Sequence, residues 1–183
     1  MTAQKITTTL DDLISKDLLC LSIGLNPSIP SVKAGYYFAN PRNRFWSALN
    51  AADLLPEFLD RSVESQRRLH TEYRIGFTDV VKRPSRMGHE LRADDFRRDA
   101  PVLREKIEQY QPRLLWFHGK IAVTKFFYYG YGLKQKWSWG ICDIPELSIQ
   151  ILITPNPSPA NAAFSVQDIT QQYHALAPYL ADY

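Results

Sequence analysis

The tightest constraint on how this chain can fold is a short, almost unbroken apolar run, Leu18, Leu19, Cys20, Leu21 and Ile23, halted by Gly24. A strand without polar alternation is buried on both faces, as in a parallel sheet covered by helices. Strand-like segments recur at Tyr73–Val81, at Arg113–Gly119 and at the β-branched Ser148–Ile153. Helical patterns lie between them. Asn43–Leu54 brings Phe45, Trp46, Leu49 and Ala52 to one face, Ser62–Tyr73 is polar, and Asp94–Gln111 carries the stripe Phe96, Leu103, Ile107 and Tyr110. Lys120–Tyr129 follows the third strand, and Ser165 opens a closing helix through Val166, Ile169, Tyr173, Leu176 and Leu180. Strands alternating with helices predict an α/β sandwich around a mostly parallel sheet, one domain over residues 1–183. Thr9 before Leu10, Leu13 and Ile14, with Asp11 and Asp12 behind it, predicts a further capped helix. Lys134–Ile141, where Trp137 and Trp139 alternate, predicts a short edge strand or hairpin.

Composition removes several classes of function. Two cysteines, Cys20 and Cys142, build neither a disulfide framework nor a four-cysteine metal or iron–sulfur site, so no metal and no cofactor is expected. Lys and Arg number 22 against 19 Asp and Glu, a net charge of +3 that permits nucleic-acid binding without requiring it. Met1–Asp17 lacks a basic leader followed by an apolar core, and no apolar run approaches the ~18 residues of a membrane span. The expected location is cytoplasmic, away from membranes.

The chemistry-bearing residues sit at strand ends. Leu25-Asn26-Pro27-Ser28 delivers an amide at the carboxyl end of the first strand, the edge where open α/β sheets hold ligands, and Asn26 is the first candidate. Tyr36, Tyr37 and Phe38 follow, flat aromatics that can stack on a flat ring such as a nucleobase. Thr154–Ala163 repeats the arrangement after the last strand, with Asn156 between Pro155 and Pro157. Asn-Pro pairs are also ordinary turn formers, but two of them at strand ends, joined by an aromatic loop, favour a site. His118 ends a strand too, where a hydrogen-bonded structural histidine is the simpler reading. Lys82, Arg83 and Arg86 form either a phosphate-contacting loop or a solvated charge run.

GLNPS (Gly24–Ser28) with AGYYFANPRNRFW (Ala34–Trp46), and TPNPSPANAAFS (Thr154–Ser165), resemble the two motifs of the mismatch-specific uracil-DNA glycosylases, a family of the uracil-DNA glycosylase superfamily. YRIGFTDVVKRP (Tyr73–Pro84) and KIEQYQPRLLWFHGK (Lys106–Lys120) resemble the segments between them. The resemblance implies a three-layer α/β/α sandwich with a short four-stranded sheet. It also implies a monofunctional DNA glycosylase that flips a deaminated or damaged base, uracil in G:U mispairs first, out of DNA and leaves an abasic site. Such an enzyme is expected to act as a monomer, on double-stranded or also single-stranded DNA. Asn26 has no useful basicity, and by the resemblance its amide holds a water under C1′ of the sugar. Asn156 stands where faster relatives have a histidine, and with backbone N–H groups near Leu25 it would stabilise the departing base. Phe38 would stack on the extruded base, with Tyr37 as rival, and Ser31 would lie near its ring edge. Ser158, Pro159, Ala160 and Asn161 would fill the vacated space in the duplex. Lys33 is expected to meet phosphate rather than act as a nucleophile.

Two departures shape the expected specificity. Ser28 replaces the usual glycine after Asn-Pro, and the inserting loop lacks a bulky wedge and an arginine, so reading of the opposite guanine is expected to be weak. Hypoxanthine, xanthine or exocyclic cytosine adducts such as ethenocytosine are then further substrates, and YYFANPRNRFW also resembles the hypoxanthine-DNA glycosylase branch. A catalytically silent nucleic-acid-binding domain uses the same features. A nucleotide or phosphoester enzyme of another kind is disfavoured, since the chain has no P-loop, dinucleotide fingerprint or nucleophile elbow.

Overall fold

The computed structural model describes residues 8–148 and 150–181. Residues 1–7, 149 and 182–183, over which the sequence predicts the start of the domain, part of the last strand and the chain end, lie outside the described residues. The strands are β1 (Cys20–Gly24), β2 (Ile75–Asp79), β3 (Leu114–His118), β4 (Gly140–Cys142) and β5 (Gln150–Thr154). They form one sheet in the order β2-β1-β3-β5-β4. The first four in that order are parallel, and β4 runs antiparallel on β5. The expected mostly parallel sheet is therefore present with five strands rather than four. The tryptophan alternation that suggested an edge strand has another cause. Trp137 is buried against Phe127, ring centroids 4.9 Å apart, and Trp139 lies under the Lys120 ammonium, so pairing starts only at Gly140.

Alternation along the buried strands divides the core in two. Cys20, Ile75, Phe77, Trp116 and Leu152 face α2 (Phe45–Ala51), α3 (Val63–Thr71) and α6 (Val166–Tyr173), through Phe45, Leu49, Leu69, Ile169 and Tyr173. Leu21, Ile23, Leu115, Phe117, Ile151 and Ile153 face α4 (Ala93–Tyr110) and α5 (Lys120–Tyr131), through Leu103, Ile107 and Phe126. Sheet residues i and i+1 thus serve opposite layers, and the three-layer sandwich follows. Ser165 caps α6 as expected, accepting a hydrogen bond from the Asp168 N–H.

The helix expected at Thr9 is not formed. Leu13 instead exchanges backbone hydrogen bonds with Phe77, at 2.8 and 3.0 Å, and Asp12 accepts from Thr78 Oγ1, Lys82 Nζ and Lys106 Nζ, each at 2.7 Å. A helix of a few residues is marginal on its own, and pairing with the sheet outweighs its cap. Burial would raise the Asp12 pKa, but the two lysines outweigh it and hold the carboxyl below its ordinary value. A short helix that the sequence pattern did not announce, α1 (Ile29–Ala34), follows β1; Ser28 Oγ accepts from the Ser31 N–H at its start, and Gly35 ends it at φ 81°.

Candidate active site

The carboxyl ends of β1, β2, β3 and β5 open onto one cleft of about 400 Å³, a size suited to a small-molecule or nucleotide ring. It is lined by the turn after β1 (Leu25, Asn26, Pro27, Ser28), by Ser31, Tyr37 and Phe38, by Asp79 and His118, and by Asn156, Ser158, Pro159 and Ala160 from the turn after β5. The two Asn-Pro turns therefore face each other. Asn161 is not among the lining residues; its Nδ2 donates to the Asn156 carbonyl and braces the turn from behind.

Phe38 offers the cleft a flat ring, a platform on which a planar ligand can stack. One of its faces lies on Phe45, ring centroids 4.1 Å apart and planes 14° apart, so the face available to a ligand is the other. Its backbone is left-handed, φ 58°, a costly conformation for a bulky residue. Hydrogen bonds on both sides hold it there: the Tyr37 N–H donates to Gln66 Oε1 at 2.6 Å, and the Ala39 N–H donates to Ser31 Oγ at 3.1 Å. Ser31, which also accepts from Ser28 Oγ at 2.9 Å, is thus a brace for the platform. Tyr37 borders the cleft but is a core residue, stacked on Phe77 with its hydroxyl donating to the Asp11 carbonyl.

Asn26 is oriented by its amide hydrogens. Nδ2 donates to the Arg83 carbonyl at 2.9 Å and to Ser85 Oγ at 2.8 Å, both in the segment after β2, so Oδ1 is the atom it presents to the cleft. A fixed carbonyl oxygen orients a water but does not deprotonate it. Asp79 brings a carboxyl to the same cleft, and the sequence reading did not single it out. It pairs with Gly24 across β1 and β2, is 4% exposed, and has no partner for Oδ2. Burial pushes its pKa up to about 7; Lys82 opposes the rise and Asp12 adds to it. The absence of a side chain at Gly24 leaves room for this carboxyl, because a Cβ at that position would lie 2.4 Å from Asp79 Oδ1 and displace it. The visible signal was a lone acid ending an otherwise apolar strand.

The second turn is built by its own polar atoms. Asn156 Oδ1 accepts from the Ser158 N–H at 2.9 Å, so the group it offers the cleft is its Nδ2 donor. Gly119, at φ 100°, lets Asn156 approach the end of β3, where a Cβ would stand 3.3 Å from the Asn156 Cβ. Arg44 holds the rest. Its guanidinium donates to the carbonyls of Ser158 and Asn161, each at 2.7 Å, to Pro157 at 3.3 Å, and to Phe164. Nothing in the second Arg of NPRNRFW announced that role. Arg44→Ala is expected to leave the sheet folded, speed hydrogen exchange in residues 157–164, and lower kcat/KM roughly 10-fold or more, the scale of several lost charged hydrogen bonds. Unchanged exchange in that loop would contradict the assignment.

The basic cluster divides. Lys82 is paired with Asp12, and Arg83 is bidentate to Asp95, whose carboxyl it holds well below the usual range. Arg86 is exposed at the cleft rim, as is Arg42. Lys33 is exposed at the end of α1, outside the cleft lining. His118 proves to be both buried and cleft-lining: Nε2 lies 2.7 Å from Ser22 Oγ, and burial takes its pKa down to about 3. Among the described residues no group of three or more His, Cys, Asp or Glu side chains could hold a metal ion, and no helix is long and apolar enough to cross a membrane.

A family model described as the Uracil DNA glycosylase superfamily matches residues 12–177. The chain is also similar to the solution NMR structure of a Methanosarcina acetivorans protein named as a candidate uracil DNA glycosylase. The two superpose with a TM-score of 0.64 at 23% sequence identity, over 94% of this chain and 98% of that one, a likeness of fold.

Proposed function

The chain belongs to the uracil DNA glycosylase superfamily, and from that premise we propose that it removes deaminated bases, uracil in G:U mispairs foremost, by monofunctional hydrolysis that leaves an abasic site. The observation carrying this reading is that both Asn-Pro turns, the Phe38 platform and the Asp79 carboxyl border a single cleft. A mispaired nucleotide costs least to extrude. Its base slides onto the outer face of Phe38, while Ser158, Pro159 and Ala160 occupy the space it leaves. As the bond from base to C1′ breaks, positive charge develops on the sugar, close to an ionised Asp79. Asn26 Oδ1 orients a water toward C1′, its oxygen bonds to that carbon, and Asp79 takes its proton. The base departs as an anion, met by the Asn156 Nδ2 donor, and is protonated by solvent. No lysine is among the described residues lining the cleft, which supports hydrolysis rather than Schiff-base chemistry.

Duplexes carrying G:U, hypoxanthine, xanthine or ethenocytosine, incubated with the protein and then treated with alkali, test the proposal. Strand breaks at uracil that appear only after alkali are expected. Intact strands with every lesion, alongside measurable DNA binding, would instead mark a silent binding domain, and breaks without alkali would mark lyase chemistry.

A further inference from the structure

Four charged side chains gather around the end of β2, and the mechanism above uses one of them. Asp12 lies on the segment bridged to the outer edge of that strand. Its Oδ1 accepts from Thr78 Oγ1 and Lys82 Nζ and its Oδ2 from Lys106 Nζ, each at 2.7 Å. Asp79 follows Thr78 directly and ends the strand. Two ammoniums against the single Asp12 carboxylate leave one positive charge over. Asp99, close by, is itself paired with Arg98. Asp79, buried and with Oδ2 unpartnered, is the remaining acid, so the four charges sum to zero only when Asp79 is ionised.

Lys82 is the cation held where it acts on that acid. Its backbone is pinned, the N–H donating to Asp99 Oδ2 at 2.8 Å and the carbonyl accepting from Thr9 Oγ1. Its Nζ, besides bonding Asp12, donates to the Tyr37 hydroxyl at 3.4 Å and lies 6.0 Å from the centre of that ring. Tyr37 stacks on Phe77, which shares a sheet face with Asp79 two residues further on. The ammonium is therefore anchored from two sides, next to the face on which Asp79 stands. We propose that Lys82, anchored by Asp12 and Tyr37, is a positioning residue for the reaction: its ammonium keeps Asp79 an anion near neutral pH, ready to take the proton of the attacking water. The inference rests on the glycosylase reading and gives Lys82 a role exerted through Asp79, without contact to DNA. Burial drives the Asp79 pKa up to about 7, Lys82 opposes that rise, and Asp12 adds to it. Without the ammonium the buried carboxyl keeps its proton to higher pH, pressed further by an Asp12 that Lys106 and Thr78 still hold. Tyr37, whose pKa is raised first by burial, and His118, brought down by burial to about 3, are neutral around pH 7 and contribute no charge. Arg86 is exposed to solvent at the cleft rim.

The test uses the full chain with ¹³C-labelled aspartate carboxyls, the Asp79 signal being the one missing from Asp79→Asn. In the wild type that signal is expected to titrate at about pH 7, and the single-turnover rate on a G:U duplex to rise with the same midpoint. In Lys82→Met both midpoints should move up by about one pH unit, the low end for loss of an opposite charge beside a carboxyl. The rate at pH 7 then falls ~5-fold, following the ionised fraction, while at pH 9 it stays within about twofold of the wild type. Lys82→Arg, which restores the charge, should restore both midpoints. Should Lys82→Met lose its circular-dichroism signature of folding, Lys82→Gln, which can still donate to Asp12, is read instead. An Asp79 signal unmoved in the folded variant, or a shift as large in Lys82→Arg, overturns the proposal. So does a rate profile that does not follow the carboxyl, or a rate lowered equally at pH 7 and pH 9, as a purely structural lysine would give. Absence of cleavage in the alkali assay bears on the glycosylase reading alone, since the carboxyl titration needs no turnover.

Discussion

Asp79→Asn is expected to slow base release by roughly 10²–10⁴-fold, the range for loss of a positioned base, while making the folded chain more resistant to heat at pH 8. Both effects have one origin. Burial raises the Asp79 pKa from its ordinary 3.8 to about 7. A carboxyl whose folded pKa is raised stabilises the fold fully below the unfolded value and loses that contribution as pH climbs through the folded value. The wild type should therefore lose stability between about pH 4 and pH 7 on this account, by an amount on the order of a few kcal/mol, and the asparagine variant should not. Cleavage should run the other way, rising through about pH 7 in the wild type as the base ionises and staying low and flat in the variant. Thermal unfolding and single-turnover rates across pH 4–9 measure the two together. A variant that keeps the wild-type rate at pH 8 would remove Asp79 from the chemistry.

On the proposed mechanism, Asn26→Ala is expected to cost ~10²-fold or more in single-turnover rate with abasic DNA still bound, because there the amide orients a water and does not grip the duplex. The alanine also releases the Arg83 carbonyl and Ser85 Oγ from their shared donor, so the segment after β2 loses a tie to β1. Exchange protection at residues 83–85 should fall in step, which separates this variant from Asp79→Asn. A rate equal to that of the wild type would show that the water is held by another group.

Periodicity was a sound guide where burial decides structure. The apolar runs became β1 and β3, the β-branched stretch became β5, and the amphipathic stripe became α4, since strands covered on both faces and helices covered on one leave those signatures. It failed where tertiary partners decide. Asp12 reads as a helix-start acid until Lys82 and Lys106, 70 and 94 residues away, are beside it. The same holds at the cleft. Asn26 and Asn156 were legible as cleft residues because strand ends and turns announce themselves, and Phe38 through the resemblance that favoured it over Tyr37, whereas Asp79 looked like the polar end of a strand. Arg44 and Gln66 act on loops distant in sequence, so their roles exist only in three dimensions.

The Phe38–Phe45 pair has an implication for how such a cleft can change. Phe45 belongs to the same apolar cluster as Phe77, Trp116 and Tyr173, so the shelf proposed to take a base continues the molecule's interior outward. Its flatness is as durable as the fold itself, and reshaping it would carry the penalty of disturbing a packed centre. Divergence in lesion preference is therefore channelled to the margin, toward residues such as Arg42, Arg86 and Ala160, which are exposed at the rim.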